Sequence, residues 1–535
     1  MPVPSVPLEE VRLENVVAVI ALLPSDPPTA PLPAVHESDE SEAQITREDI
    51  AAKARSRDSP STGAITASRR DTQHSRRPDV LHNFRPLELS TPPVTIYHPV
   101  FALFLRLIKE EPQKFTPEEL DRAQCFITAA TDIYQTEEKR IDALTDMVRA
   151  VHTQVLLKKT FQFTSQKLIP DGAVCTAEAP NGFETVSAII EVTNEIGDGN
   201  CDPLAQAECA YIAIYSSTEA YQVRQACCSP AFLIGMAGPN IIVSGAIFAD
   251  QLVAQTLTDY ISVIPRLQSP GRSPLDDTGY RVARLFRALR ICVQELEEYY
   301  AHLVRSMELA PSTRVRDTSR MNARIRSSGS ARISRPPHII SPHFTTFKID
   351  EDEVVLEYKR RLVAGDVTKA VFVADAKRGT EVTEVVVKFA HKYSEEGHRL
   401  LAAASQAPQL HYCQFVDSVA MWVVVMDYVR GEEVKGVLTH PTHIASLRAA
   451  VTKLHQGGLV FGDLRRPNLL LVGDRVVLVD FDWCGKEGEA RYPSDILLDG
   501  IDWHSKVKRG MLIAKEHDAH FFHLLTKQTL DGDDE

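Results

Sequence analysis

The stretch Phe461–Gly485, FGDLRRPNLLLVGDRVVLVDFDWCG, limits the fold of this chain more than any other. Asp463, Arg465 and Asn468 crowd into one loop. Two strand-like apolar runs, LLLV and VVLV, follow, and a turn then presents Asp480 and Asp482 around Phe481. A cation, an amide and three carboxylates gathered this closely point to a polar site.

EVTEVVVKFA reads as a strand that presents Lys388, and YSEEGHRLLAAA as a helix start that brings Glu395 and Glu396 soon afterwards. MWVVVMDYVRGEE reads as a buried strand running into a polar turn. IASLRAAVTKLHQGG is an amphipathic helix stopped by Gly457-Gly458, and the Asp463 loop comes next. The order is strand Lys, helix Glu, apolar strand, helix, D-x-R-x-x-N loop, two short strands, D-F-D.

This order resembles the protein-kinase-like superfamily, and within it the kinase-like proteins of mushroom-forming fungi with H-G-D-x-R-x-x-N and D-F-D-W motifs. The resemblance covers about residues 340 to 530. It implies a two-lobed α+β domain that binds ATP and Mg²⁺ and moves the γ-phosphoryl group to a hydroxyl, on Ser or Thr of a protein or on a small molecule. In that frame Asp463 orients the attacking hydroxyl, and Asn468 and Asp480 hold the metal. Lys388 pins the phosphates and is itself held by Glu396, with Glu395 as rival. Arg465 neutralises the transferred group, and Asp482 is read as a turn residue. Asp518 in KEHDAHFF resembles a buried Asp that steadies the catalytic loop. The sequence also departs from the pattern. Phe461 replaces a His, and RLVAGDVTKAVF offers only Gly365 where a glycine-rich phosphate loop belongs. Asp518 follows Asp480 by only 38 positions, which makes a small-molecule acceptor or a pseudokinase scaffold the alternatives.

The chain of 535 residues is too long for one core. Residues 1–92, rich in Pro, Ser and charge, are expected to be disordered, with a loose basic stretch from Lys53 to Arg77. A mixed α/β domain is expected over 93–305. Residues 306–339 form a linker whose 311–338 portion holds seven Arg, six Ser and one acid. The kinase-like domain follows over 340–528, and an acidic tail over 529–535. In the 93–305 domain, Pro170-Asp171, Glu191-x-Thr193, Gln206 and Tyr211 resemble the PD-(D/E)xK nuclease core. There two acids hold a metal, and a Lys stands where this chain has Thr193, so cleavage is not expected. A net charge of −13 argues against a general nucleic-acid coat and leaves nucleic acid only to 93–305 and the basic segments. Nine scattered cysteines without a CxxC pair, and no run long enough to span a membrane, give the expectation of an intracellular protein, cytoplasmic or nuclear, with reduced thiols.

Overall fold

Arg47, Ile50, Ala51 and Ala54 share one side of the helix Ser38–Ala54, and all four are buried. In the computed structural model, which describes residues 38–75, 77–110, 114–151, 155–266, 271, 273–309, 340–362 and 369–531, the Arg47 guanidinium donates to the carbonyls of Arg224, Cys227 and Phe248. Burial pushes the pKa of this Arg down to about 10, and the carbonyls take up its two terminal amino groups. The expected disorder of 1–92 therefore fails from residue 38 onward. The basic stretch is also tied down: Arg57 and Arg77 each reach the buried Asp79 at 2.9 Å, and Arg69 reaches Glu208 at 2.8 Å. Composition suggested solvation, but buried carboxylates recruit these cations. Residues 1–37, most of the Arg/Ser linker (310–339) and the end of the acidic tail (532–535) lie outside the described residues.

Contacts divide the chain into one unit over Glu40–His343 and another that holds Phe344 onward. In the first, a sheet runs in the order Leu81–His82, Leu252–Thr256, Asn240–Phe248, Ala231–Ala237, Glu184–Thr193, Gly172–Glu178, Val155–Leu157. Glu184–Thr193 and Ala231–Ala237 run parallel, joined through the helix Pro203–Ser216. Asp202 caps that helix by accepting from the Leu204 N–H at 2.9 Å. Buried strands such as AFLIGMA are apolar on both faces because helices pack against them. Gly245 is required where Phe101 crosses the sheet: a Cβ there would lie 2.6 Å from the ring. The first unit also includes His343, whose N–H donates to the Ile96 carbonyl at 2.8 Å.

The second unit opens with an antiparallel sheet. Its strands are β1 (Thr346–Ile349), β2 (Asp352–Arg361), β3 (Val371–Arg378), β4 (Glu381–Ala390), β5 (Leu410–Val416) and β6 (Met421–Asp427), in the order β1-β2-β3-β4-β6-β5. Helix α1 (Glu395–Ala402) sits between β4 and β5 in sequence, with Ser394 as N-cap. After β7 (Glu432–Glu433), the helix α2 (Pro441–Gln456) leads to β8 (Leu459–Val460), β9 (Leu469–Val472), β10 (Arg475–Leu478), β11 (Gly485–Lys486) and finally α3 (Lys515–Thr526). The runs LLLV and VVLV are paired as β9 and β10, antiparallel from Leu469–Leu478 to Val472–Arg475. One core joins Val373 and Val424 of the sheet to Leu447, Leu454, Phe461, Phe481 and Phe522. This unit, like the first, mixes helices with sheet. No described helix is long and apolar enough to cross a membrane.

Candidate functional site

Alternation along β4 sends Val385, Val387 and Phe389 to one face and Val386 and Lys388 to the other. Lys388 is only 5% exposed and sits in register between Val371 of β3 and Val424 of β6. Its Nζ lies 2.7 Å from Asp480 and 2.7 Å from Asp482. Burial alone would lower the pKa of this ammonium, but the two carboxylates hold it above the ordinary Lys value. The carboxylates are driven apart. Burial and the Asp480 charge push Asp482 up, while Lys388 overcomes burial and holds Asp480 down. Asp480 has φ +68°, in the left-handed region that Asp tolerates better than most residues.

The Asp463 loop is pinned from beneath. Asp518 of α3, 1% exposed, accepts the N–H groups of Phe461 and Gly462 at 2.8 Å each and faces His455 Nε2 at 3.0 Å. Gly462 has φ +81°, and a Cβ there would meet Ile513 at 2.8 Å, so the turn needs glycine. Asp463 accepts from Asn468 Nδ2 at 2.8 Å and from Arg465 Nη2 at 2.8 Å, with Arg465 Nε closer still. The Arg465 guanidinium lies 5.3 Å from the Trp503 ring centre and 5.9 Å from that of Trp483. The Asn468 carbonyl accepts from Val479 N–H at 3.0 Å, which links this loop to the residue before Asp480.

Two sequence expectations need correction. Glu396 is exposed and does not hold Lys388, and its rival Glu395 pairs with Arg399 at 2.7 Å. The physical cause is the register of α1. Gly397, His398 and Leu401 face inward, and His398 stacks on Phe481 with ring centres 4.7 Å apart. His398 also bonds to Tyr393 and the Pro408 carbonyl, and burial lowers its pKa to about 4. Asp482, read as a turn residue, instead supplies half of the cage around Lys388. Its D-x-D spacing from Asp480 was the available signal. Phe461 packs edge-on against Phe481 at 5.4 Å, so an apolar contact takes the place of a polar tether. Gly365 lies outside the described residues.

An apolar cleft ends on Lys388 and Asp480, with Leu362, Val371, Val386, Met426 and Leu470 among its walls. Its mostly apolar lining suits a flat heteroaromatic group.

Residues 365–525 match the family model described as lipopolysaccharide core biosynthesis protein (WaaY). Over 142 residues the chain is 28% identical to the KEOPS complex subunit Bud32 of Pyrococcus abyssi, a match that covers 25% of this chain and 61% of that protein. Over 79 residues it is 35% identical to a probable bifunctional tRNA threonylcarbamoyladenosine biosynthesis protein of Methanosarcina mazei, covering 15% and 13%. The chain thus spans less than two thirds of the length of these relatives. Among solved structures, the Cydia pomonella granulovirus kinase PK-1 is similar at 19% identity and TM-score 0.23, covering 30% of this chain and 68% of that one. Vaccinia related kinase 3 is similar at 12% identity and TM-score 0.25, covering 34% and 67%. The sequence matches and the loop geometry together support a kinase-like C-terminal unit.

In the first unit, Asp171 and Glu191 meet. Burial and the Asp171 charge raise the Glu191 carboxyl well above its ordinary value, and Gln206 donates to it at 3.0 Å. The Thr193 hydroxyl donates to the Glu195 carbonyl. Tyr211 belongs to the core, where it donates to the Ser229 carbonyl at 2.8 Å. Cys227 and Cys228 are both buried.

Proposed function

We propose that residues 344–531 act as a two-lobed, protein-kinase-type phosphotransferase that moves the γ-phosphoryl group of ATP to a hydroxyl, on Ser or Thr of a protein. The observation that carries this reading is the apolar cavity ending on Lys388 and Asp480, one hydrogen bond away from the Asp463 loop through Val479 and Asn468. The cavity walls would take the adenine, and Lys388 would turn from its carboxylates toward the phosphates. Asp463 would accept the proton of the attacking hydroxyl. Arg465, held beside it, would offset charge on the transferred group.

A magnesium ion fits the donor set. Asp480, Asp482 and the Asn468 side chain offer hard oxygens, and two carboxylates against one ammonium leave net negative charge. When bound, Mg²⁺ would supply electrostatic neutralisation of the phosphates. The residues expected to hold it are Asp480 and Asn468, with Asp482 beside them.

The test separates binding from transfer. Wild type should gain thermal stability in ATP and Mg²⁺ and pass radiolabelled phosphate to an acceptor. Asp480→Ala should lose the metal-dependent shift, and Asp463→Ala should keep it while transfer stops. A wild type with no shift and no transfer at millimolar ATP would refute the proposal in favour of an interaction scaffold. A shift without transfer to any acceptor would indicate a nucleotide-binding pseudokinase. A second reading, a small-molecule acceptor, draws support from the segment after β11. That segment folds on itself, with Arg491 bridging Leu512 and Ile513 N–H bonded to the Ala490 carbonyl at 2.8 Å, which leaves little extended chain for docking a peptide.

A further inference from the structure

His517, in the first turn of α3, is 3% exposed. Its Nδ1 lies 3.1 Å from the Tyr492 hydroxyl and 3.3 Å from the Ala514 N–H. Its Nε2 is buried and has no hydrogen-bond partner among the described residues. A buried imidazole nitrogen left this way is costly and calls for a ligand. The nitrogen faces Glu516 Oε1 at 4.0 Å, and the ring of His504 lies 5.2 Å from that of His517. One ligand atom from each of His504, Glu516 and His517 falls within 4.8 Å of the others.

We propose that His504, Glu516 and His517 form a binding site for a zinc-class divalent metal ion that ties the segment after β11 to α3. Two imidazoles and one carboxylate are a donor set for such ions, with a further position left for water. Magnesium, which prefers oxygen ligands, does not match it, so this site is chemically distinct from the one around Asp480. Glu516 is exposed and His504 half-buried, so small side-chain rotations can draw both toward the fixed His517. Nδ1 accepts from the Ala514 N–H in this structure, so freeing the Nε2 lone pair for a metal moves the ring proton to Nδ1, where the Tyr492 hydroxyl accepts it in place of the Ala514 bond. Lys506 competes for the site: its Nζ lies 3.0 Å from both oxygens of Glu516, and its side chain is 66% exposed. The site would stiffen the helix that carries Asp518, one residue on, and so the floor of the Asp463 loop.

The experiment uses the metal-stripped full chain with Zn²⁺ alone in calorimetric titration and Co²⁺ as an absorbing probe. Wild type should bind one equivalent whose Co²⁺ spectrum has d–d bands without thiolate charge transfer. His504→Ala and Glu516→Gln should each weaken that equivalent by about tenfold or more, while Lys506→Ala should tighten it. Both weakened variants change side chains that are not fully buried, and their metal-free urea midpoints should match wild type. The proposal is overturned if wild type binds no zinc. It is equally overturned if the bound equivalent survives both His504→Ala and Glu516→Gln, or if its cobalt spectrum is that of cysteine ligation.

Discussion

Replacing Asp518 with Asn keeps the shape of the side chain and removes one acceptor. In the native structure both carboxylate oxygens are used, by Phe461 N–H and Gly462 N–H at 2.8 Å, and one also faces His455 at 3.0 Å. The Asn amide can serve only one of these N–H groups and turns its own NH₂ toward the other. One buried backbone donor left unpaired costs about 1–3 kcal/mol, and a lost bond to a charged acceptor adds about 1 kcal/mol or more. The expected destabilisation is therefore about 3 kcal/mol. All three tryptophans, Trp422, Trp483 and Trp503, lie in the second unit, so their fluorescence in a urea titration of the full chain reads this unit alone. With a slope of about 2 kcal/mol/M, the midpoint should fall by about 1.5 M at unchanged slope. A fall of less than about 0.3 M would mean that Asp518 does not pin the loop.

Further outcomes follow from the same structure. Glu396→Ala should leave ATP–Mg²⁺ affinity within about twofold, as for an ordinary surface change, whereas Lys388→Met should weaken it by about tenfold or more; equal effects in calorimetry would restore Glu396 as the partner of Lys388. His98 caps its helix through the Val100 N–H, and burial, then the His343 charge, lowers its pKa from 6.5 to about 3. Because the unfolded chain binds the proton first, the first unit should lose stability as pH falls from about 6.5 toward about 3. His98→Asn, which can still cap, should flatten that slope as read by hydrogen exchange within residues 40–343. By its resemblance to the PD-(D/E)xK core, the first unit has Thr193 where that core carries a cation, so it should not cut DNA or RNA with added Mg²⁺ or Mn²⁺; cleavage lost on Asp171→Ala would contradict this.

The local order of the kinase-like motifs was legible in the sequence, because turn chemistry and strand alternation depend on near neighbours. The paired β9 and β10 and Lys388 on β4 follow from residues a few positions apart. Asp463, Arg465 and Asn468 could be placed together for the same reason. The partner of Lys388 could not, because it depends on how α1 is rotated about its axis. That rotation is set by His398 stacking on Phe481, a contact between residues 83 positions apart, and it turns both glutamates outward and leaves Asp480 and Asp482 to hold the ammonium.

The same division explains residues 38–92. Composition gave a polar, charge-rich segment, and composition alone predicts solvation. Only the tertiary structure supplies the Arg224, Cys227 and Phe248 carbonyls that meet Arg47, and the buried Asp79 that draws Arg57 and Arg77 inward. A charge is exposed or buried according to the partners waiting for it, and those partners come from distant parts of the chain. Sequence therefore determined which residue types could do phosphate chemistry and which strands and turns carry them. Tertiary packing decided which charges face one another, since a pairing energy exists only once the fold has brought its two members into contact.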